Sequence, residues 1–266
     1  MKHPIALLLI AACLAGCGDA AETDNRTAAA RAAETTAIPT YVEAALADPG
    51  RAMHRGADER RKPAALIAFA GVKPGDRVLD LIPGDGYWTR VFSRIVGPDG
   101  LVYAVWPKNY ADVAQGNVKT LREIAASPEY ANVRVEVQPS PILTAPEPLD
   151  IVWTSQNYHD YPDEFMGRID PAQLNRAVFA MLKPGGTWFI IDHAAAEGSG
   201  MRDTETLHRI DPAIVRQQVE AAGFEYVGES GVLRNPADTR ELAVFDESVR
   251  GRTDQFVMKF RKPAAS

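Results

Sequence analysis

Residues Arg77–Val105 read RVLDLIPGDGYWTRVFSRIVGPDGLVYAV, and the rest of the chain is organised around them. Val78 to Ile82 is apolar around a single acid, Asp80. Such a run predicts a strand buried on both faces of a parallel sheet. Pro83, Gly84, Asp85 and Gly86 then predict a tight turn. From Tyr87 to Val96 the apolar residues Tyr87, Val91 and Ile95 fall at helical spacing. Gly97-Pro98-Asp99-Gly100 ends that helix, and Leu101 to Val105 reads as a second strand. Strand, glycine turn, helix and strand within one short stretch form a βαβ unit of the nucleotide-binding kind. Glycine lets backbone approach a ligand where a Cβ would clash, and the helix start offers unpaired N–H groups.

The glycine spacing separates two kinds of unit. A dinucleotide fingerprint requires G-x-G-x-x-G, but Thr89 stands where the third glycine would be. The order Asp80-Leu81-Ile82-Pro83-Gly84-Asp85-Gly86 instead resembles motif I of the class I S-adenosylmethionine-dependent methyltransferases. From about Ala45 to Pro263 the chain is similar to one group of these, whose acceptor is unassigned. The resemblance rests on RKPAALIAFAGVKPGDRVLDL, PGDGYWTR, SQNYHD, LKPGG, DHAA, TLHRID, AAGF and TDQFVMKFRKP, in that order.

The expected fold is therefore an α/β domain with a doubly wound, mostly parallel, seven-stranded sheet over residues 41–266. The residues predict helices over 41–47, 62–70, 113–126, 171–182 and 212–222. They predict further strands over 133–138, 149–153, 187–191, 225–230 and 255–261. The resemblance implies that the last strand inserts antiparallel.

It also implies a cofactor, S-adenosylmethionine, and the residues that hold it. Pro83, Gly84, Asp85, Gly86 and Tyr87 would seat its methionine part, with Asp80 acting through the turn or on the amino group. Trp106, like Tyr87 and Trp88, could stack on the adenine or face the sulfonium as a cation–π partner. Asn157 joins this set and could also hold an acceptor. Three residues depart from the family pattern. Ile82 replaces the first glycine of G-x-G-x-G. No acid lies between Leu101 and Tyr110 to clamp the ribose, and strand three runs into Gln138-Pro139-Ser140 without one. Charge-assisted hydrogen bonds are worth roughly 1.5–3 kcal/mol each, so two lost carboxylates weaken a site appreciably.

Methyl transfer needs an aligned acceptor and sometimes a base. His159 and Asp160, in the loop after strand four, are the expected catalytic pair, since strand ends at the carboxyl edge are where open α/β folds build sites. His159, Asp192-His193 and His208 could converge, but no H-x-x-x-H spacing supports a metal, and none is expected. No G-x-S-x-G elbow is present, which speaks against an α/β-hydrolase. A small molecule is the expected substrate. The rival reading is a non-catalytic binding module that kept the fold and lost the cofactor.

The start of the chain is a separate matter. Lys2 precedes an apolar run, Pro4 to Leu14, and Leu14-Ala15-Gly16-Cys17 matches a bacterial lipobox. The run is too short to span a bilayer. It predicts a lipoprotein signal peptide over 1–16, with lipid attached at Cys17 and a tether over 17–40 that lacks aromatic residues until the domain begins. The expected location is the cell envelope, anchored to the membrane and facing the periplasm. Of the two cysteines only Cys17 would survive cleavage, so no internal disulfide is expected. The net charge of −6 over 266 residues gives no electrostatic footprint for nucleic acid.

Overall fold

The computed structural model describes residues 37–140 and 142–264. The segments expected to be signal peptide and tether, with Cys17, lie outside them except for residues 37–40. Among the described residues no helix is long and apolar enough to cross a membrane.

Seven strands form one sheet: β1 (Arg77–Leu81), β2 (Leu101–Pro107), β3 (Val133–Gln138), β4 (Leu149–Ser155), β5 (Leu182–His193), β6 (Glu225–Glu229) and β7 (Gln255–Arg261). Their order is β3-β2-β1-β4-β5-β7-β6. The first five pair in parallel, and β7 slots antiparallel between β5 and β6, as the resemblance implies. Main helices are α1 (Thr40–Ala47), α2 (Pro63–Ala70), α3 (Tyr87–Val96), α4 (Gln115–Ala125), α5 (Pro171–Met181) and α6 (Pro212–Ala221).

Alternation along the strands sends side chains to two separate cores. Val78, Val102, Ile151, Trp153 and Phe189 pack with α1 to α4 on one face. Leu79, Tyr103, Val152, Trp188 and Ile190 pack with α5 and α6 on the other. Each fully buried aliphatic or aromatic side chain contributes about 1.5–3 kcal/mol. Two of the helices start as their sequence requires. Asp170 accepts from the Ala172 N–H at 2.9 Å and Asp211 from Ala213 at 2.9 Å, each with proline at the first helical position.

The structure differs from expectation at two places that matter for the site. The helix expected over 113–126 is α4, and a further short helix, Lys108–Val113, precedes it with Ala114 between them. Pro49-Gly50 does not simply end α1. The chain continues in 3₁₀ turns over Pro49–Ala57 and a short helix, Asp58–Arg61. That excursion is held by Arg51, whose fully buried guanidinium donates to Asp58 at 2.8 Å and to the Leu46 carbonyl at 2.8 Å.

Candidate active site

The carboxyl ends of β1, β4 and β5 open into a cleft of about 490 Å³, a size ordinary for small-molecule sites. One wall is the turn after β1. Asp80, Ile82, Pro83, Gly84, Asp85 and Tyr87 line it. The Ile82 N–H donates to the Val105 carbonyl at 2.9 Å and ties the turn to β2. Ile82 has φ +56°, a left-handed conformation that a β-branched side chain adopts only under constraint. It stands where related turns carry glycine, so the backbone path is kept without the residue that makes it easy.

The two glycines of the turn do different things. Gly84 has φ +61°, and a Cβ there would meet nothing within 4 Å. It presents bare backbone to the cleft. Gly86 has φ +88°, but its missing Cβ would sit 2.4 Å from Leu121 Cδ1. Gly86 therefore makes room for α4 on its Cβ side.

Asp80 points to the α3 side of the sheet and accepts from the Thr89 hydroxyl at 2.6 Å. Burial pushes its carboxyl up to about 7, against that hydrogen bond and the charge of Arg61. Tyr87 donates to Asp58 at 2.6 Å, and its ring lies 4.6 Å from the Arg61 guanidinium. Arg61 also lines the cleft, and among the described residues no carboxylate lies within ion-pair distance of it. The run Arg60-Arg61-Lys62 looks in sequence like a solvated helix start. Burial of the Arg61 side chain, which lowers its pKa, marks it instead as a wall of the site. Trp106 does not line the cleft. β2 runs two residues further than expected, and Trp106 is fully buried beneath Tyr110 at 5.9 Å between ring centres. Its expected stacking on a ligand is corrected accordingly.

The opposite wall is the end of β4. Gln156, at φ +67°, donates its N–H to the Ile191 carbonyl at 2.8 Å and turns the chain into Asn157 and the 3₁₀ turn Tyr158–Asp160. His159 is buried between two carboxylates. Its Nδ1 is 2.7 Å from Asp192 Oδ1 and its Nε2 3.2 Å from Asp160 Oδ1. The His159 backbone N–H donates to Asp192 Oδ2 at 2.8 Å. Burial works against a charged imidazole here, but Asp192 and Asp160 outweigh it and hold the ring well above its usual pKa. Asp160 is also opposed by burial, yet the His159 charge and hydrogen bonds take it down to about 2. His193, one residue after Asp192, is neutral because burial lowers it to about 3, and its Nδ1 is 2.8 Å from the Thr253 hydroxyl.

Asn157 bridges the two walls. Its amide donates to Tyr110 Oη and to Asp160 Oδ2, both at 3.4 Å. His208, expected to be able to converge with His159, lines the cleft, and so do Tyr110, Asn117, Phe165 and Phe245, which were not anticipated as site residues. Their elements are far apart in sequence, and none sits in a recognisable motif. A second recess of about 290 Å³ adjoins the first through shared Arg61, Gln156 and His193, and Arg60 and Arg250 line it.

Known proteins match this architecture. The family described as protein-L-isoaspartate(D-aspartate) O-methyltransferase matches residues 59–169, which hold the turn, β2 to β4 and the His159 loop. A ubiquinone/menaquinone biosynthesis C-methyltransferase UbiE of Teredinibacter turnerae is 26% identical over 173 residues. The match covers 62% of this chain and 63% of that protein. A SAM-dependent methyltransferase from Aquifex aeolicus superposes with a TM-score of 0.51 at 20% identity, over 84% of this chain and 98% of that one. In fold and in sequence the chain is similar to class I S-adenosylmethionine-dependent methyltransferases. The same fold also serves the [4+2]-cyclase SpnF, similar at a TM-score of 0.59 and 18% identity over 77% of this chain and 81% of that one. The likeness therefore carries the architecture, and the reaction has to be argued from the site.

Proposed function

We propose that the protein transfers a methyl group from S-adenosylmethionine to a small acceptor bound in the cleft. The observation that carries this is the open backbone at Gly84 facing the Asn157–Asp160 loop across one cleft. The residues present fit the cofactor. Backbone at Pro83 to Asp85 offers a cradle that a Cβ at Gly84 would fill. Asp80 offers a carboxyl to an ammonium and Arg61 an unpaired cation to a carboxylate. Tyr87 offers an aromatic face. Asn117 is a polar side chain beyond β2, the side on which relatives place a ribose acid, and its amide can take the hydroxyls without charge. When bound, the cofactor supplies an electrophilic methyl group.

The chain's own part is to hold and orient. Asp192 fixes the His159 ring, His159 fixes Asp160 Oδ1, and Asn157 fixes Asp160 Oδ2. With both ring nitrogens engaged, His159 is a positioning residue. The free side of Asp160 is the group turned to an acceptor's proton. Alignment of this kind is worth several powers of ten without any strong base. The second recess, continuous with the first, gives the acceptor its own space.

We propose further that Cys17 carries a lipid which anchors the protein to the envelope membrane, with the domain facing the periplasm. The lipobox Leu14-Ala15-Gly16-Cys17 supports this reading.

The site assignment is tested by photolabelling the full chain with methyl-labelled S-adenosylmethionine and mapping the modified peptides. Label on peptides spanning residues 80–87 or 155–160 is the expected outcome. Saturable label confined to other peptides would place the cofactor elsewhere, and no saturable label would favour the binding module.

A further inference from the structure

His208 is the residue of the cleft that the account so far leaves without a role. It follows the short helix Thr204–Leu207, at φ +53°. Its ring is held edge-on by Phe245 at 4.9 Å and by His159 at 5.5 Å between ring centres. Its Nδ1 approaches Asp160 Oδ1 to 3.8 Å, beyond hydrogen-bonding distance. The ring lines the cleft beside Asp160 and Phe245.

We infer that His159 Nε2, a carboxylate oxygen of Asp160 and a ring nitrogen of His208 form a binding site for one divalent transition-metal ion, open toward the cleft. One ligand atom from each of the three lies within 4.8 Å of the others. Ligands about 2.1 Å from a metal stand roughly 3.0 Å apart at right angles and roughly 3.4 Å apart in a tetrahedron. The 3.2 Å and 3.8 Å separations at Asp160 Oδ1 bracket the tetrahedral value, so small side-chain rotations complete the geometry. Two imidazoles and one carboxylate suit zinc, iron(II), manganese, cobalt or nickel better than magnesium or calcium, which prefer oxygen.

The surroundings are those of a ligand set. Metal-bound histidines hand their second nitrogen to a carboxylate, which fixes the ring and the tautomer. Asp192 does this for His159, at 2.7 Å, and its other oxygen holds the His159 backbone. The Asn157 amide holds Asp160 Oδ2 at 3.4 Å, leaving Oδ1 for the ion. The three ligands come from two segments, and the remaining coordination positions face the cleft beside Tyr110 and Phe165. An acceptor oxygen would take one of them. A metal there would acidify a bound hydroxyl.

The inference goes beyond methyl transfer, and its test does not depend on turnover. Full-length protein is stripped with a chelator, dialysed, and titrated with Zn²⁺ by calorimetry and with Co²⁺ by visible absorption. One ion per chain is expected, with a Co²⁺ spectrum showing nitrogen ligation. Asp160→Asn and His208→Ala should each weaken binding about tenfold or more, whereas Asp85→Asn, an acid of the same cleft outside the cluster, should not. His208 is partly exposed, so its variant keeps the fold, and circular dichroism checks this. No stoichiometric binding by the wild type, or binding unchanged in His208→Ala, overturns the inference. In that case Asp160 and His159 are an ion pair and nothing more.

Discussion

Replacing Asp80 with asparagine should make the protein more stable at alkaline pH and flatten its pH dependence. Asp80 is 2% exposed, and its carboxyl hydrogen-bonds only to Thr89. In the unfolded chain it releases its proton near 3.8; in the folded protein burial holds the proton on until about 7. The folded state thus binds more protons across that window, so stability falls as pH rises through it. At about 1.36 kcal/mol per pH unit, the gap between 3.8 and about 7 comes to about 4 kcal/mol. Asparagine keeps an acceptor for Thr89 but buries an amide N–H₂, which gives back about 1–3 kcal/mol. Asp80→Asn should accordingly gain about 1–3 kcal/mol over wild type at pH 8 and be less stable than wild type by a similar amount at pH 4. Urea denaturation of both proteins at several pH values from 4 to 8 reads the difference, in which the other buried acids and histidines cancel. A stability difference independent of pH would refute the reasoning, because it would mean that Asp80 titrates alike in both states. A buried acid kept at this cost in the middle of β1 is the kind of strain that sites retain for a ligand, here a cationic one.

The other predictions concern packing and the anchor. Gly86→Ala should cost about 1–3 kcal/mol, from its positive φ and the approach to Leu121. Truncating Leu121 in the same chain should recover part of that in a double-mutant cycle, and strict additivity would show that the contact is not the cause. Trp106→Ala should lose about 3–5 kcal/mol of stability, while Trp106→Phe should leave S-adenosylhomocysteine affinity as it was; a selective loss of affinity in the phenylalanine variant would restore its stacking role. Cys17→Ser should abolish labelling by a radioactive fatty acid and detergent partitioning, and a variant that still labels would disprove the anchor.

What could be read in the sequence was what is local and periodic. The change from period two to period 3.6 across Pro83–Gly86 delimits β1, α3 and β2 within one short span, and proline after aspartate marks the starts of α5 and α6. The antiparallel place of β7 came from resemblance, since nothing in its own residues states a direction. The excursion over residues 49–61 was invisible because it is held by polar contacts, such as Arg51 with Asp58 inside it and Tyr87 with Asp58 from α3, that leave no periodic trace. Arg61 looked solvated for the same reason. The packing demand at Gly86 left no local trace because its neighbour, Leu121, lies 35 positions away on another helix. Trp106 was misread because β2 continues past the residue where the apolar pattern was judged to end. The convergence of His159 with Asp192 and His208 was open in sequence, and the geometry was not. Asp192 sits at the end of β5 and His208 after the short helix Thr204–Leu207, and only the sheet order brings them to the end of β4.

The central claim is that this cleft binds S-adenosylmethionine, and calorimetric titration of the full chain with S-adenosylhomocysteine tests it most directly. The account predicts a saturable, one-site isotherm that Gly84→Ala weakens while circular dichroism stays unchanged, because alanine bears φ +61° at less strain than a branched residue and adds its methyl where backbone lies open. A flat titration of the wild-type protein, or an isotherm that Gly84→Ala leaves intact, would contradict it.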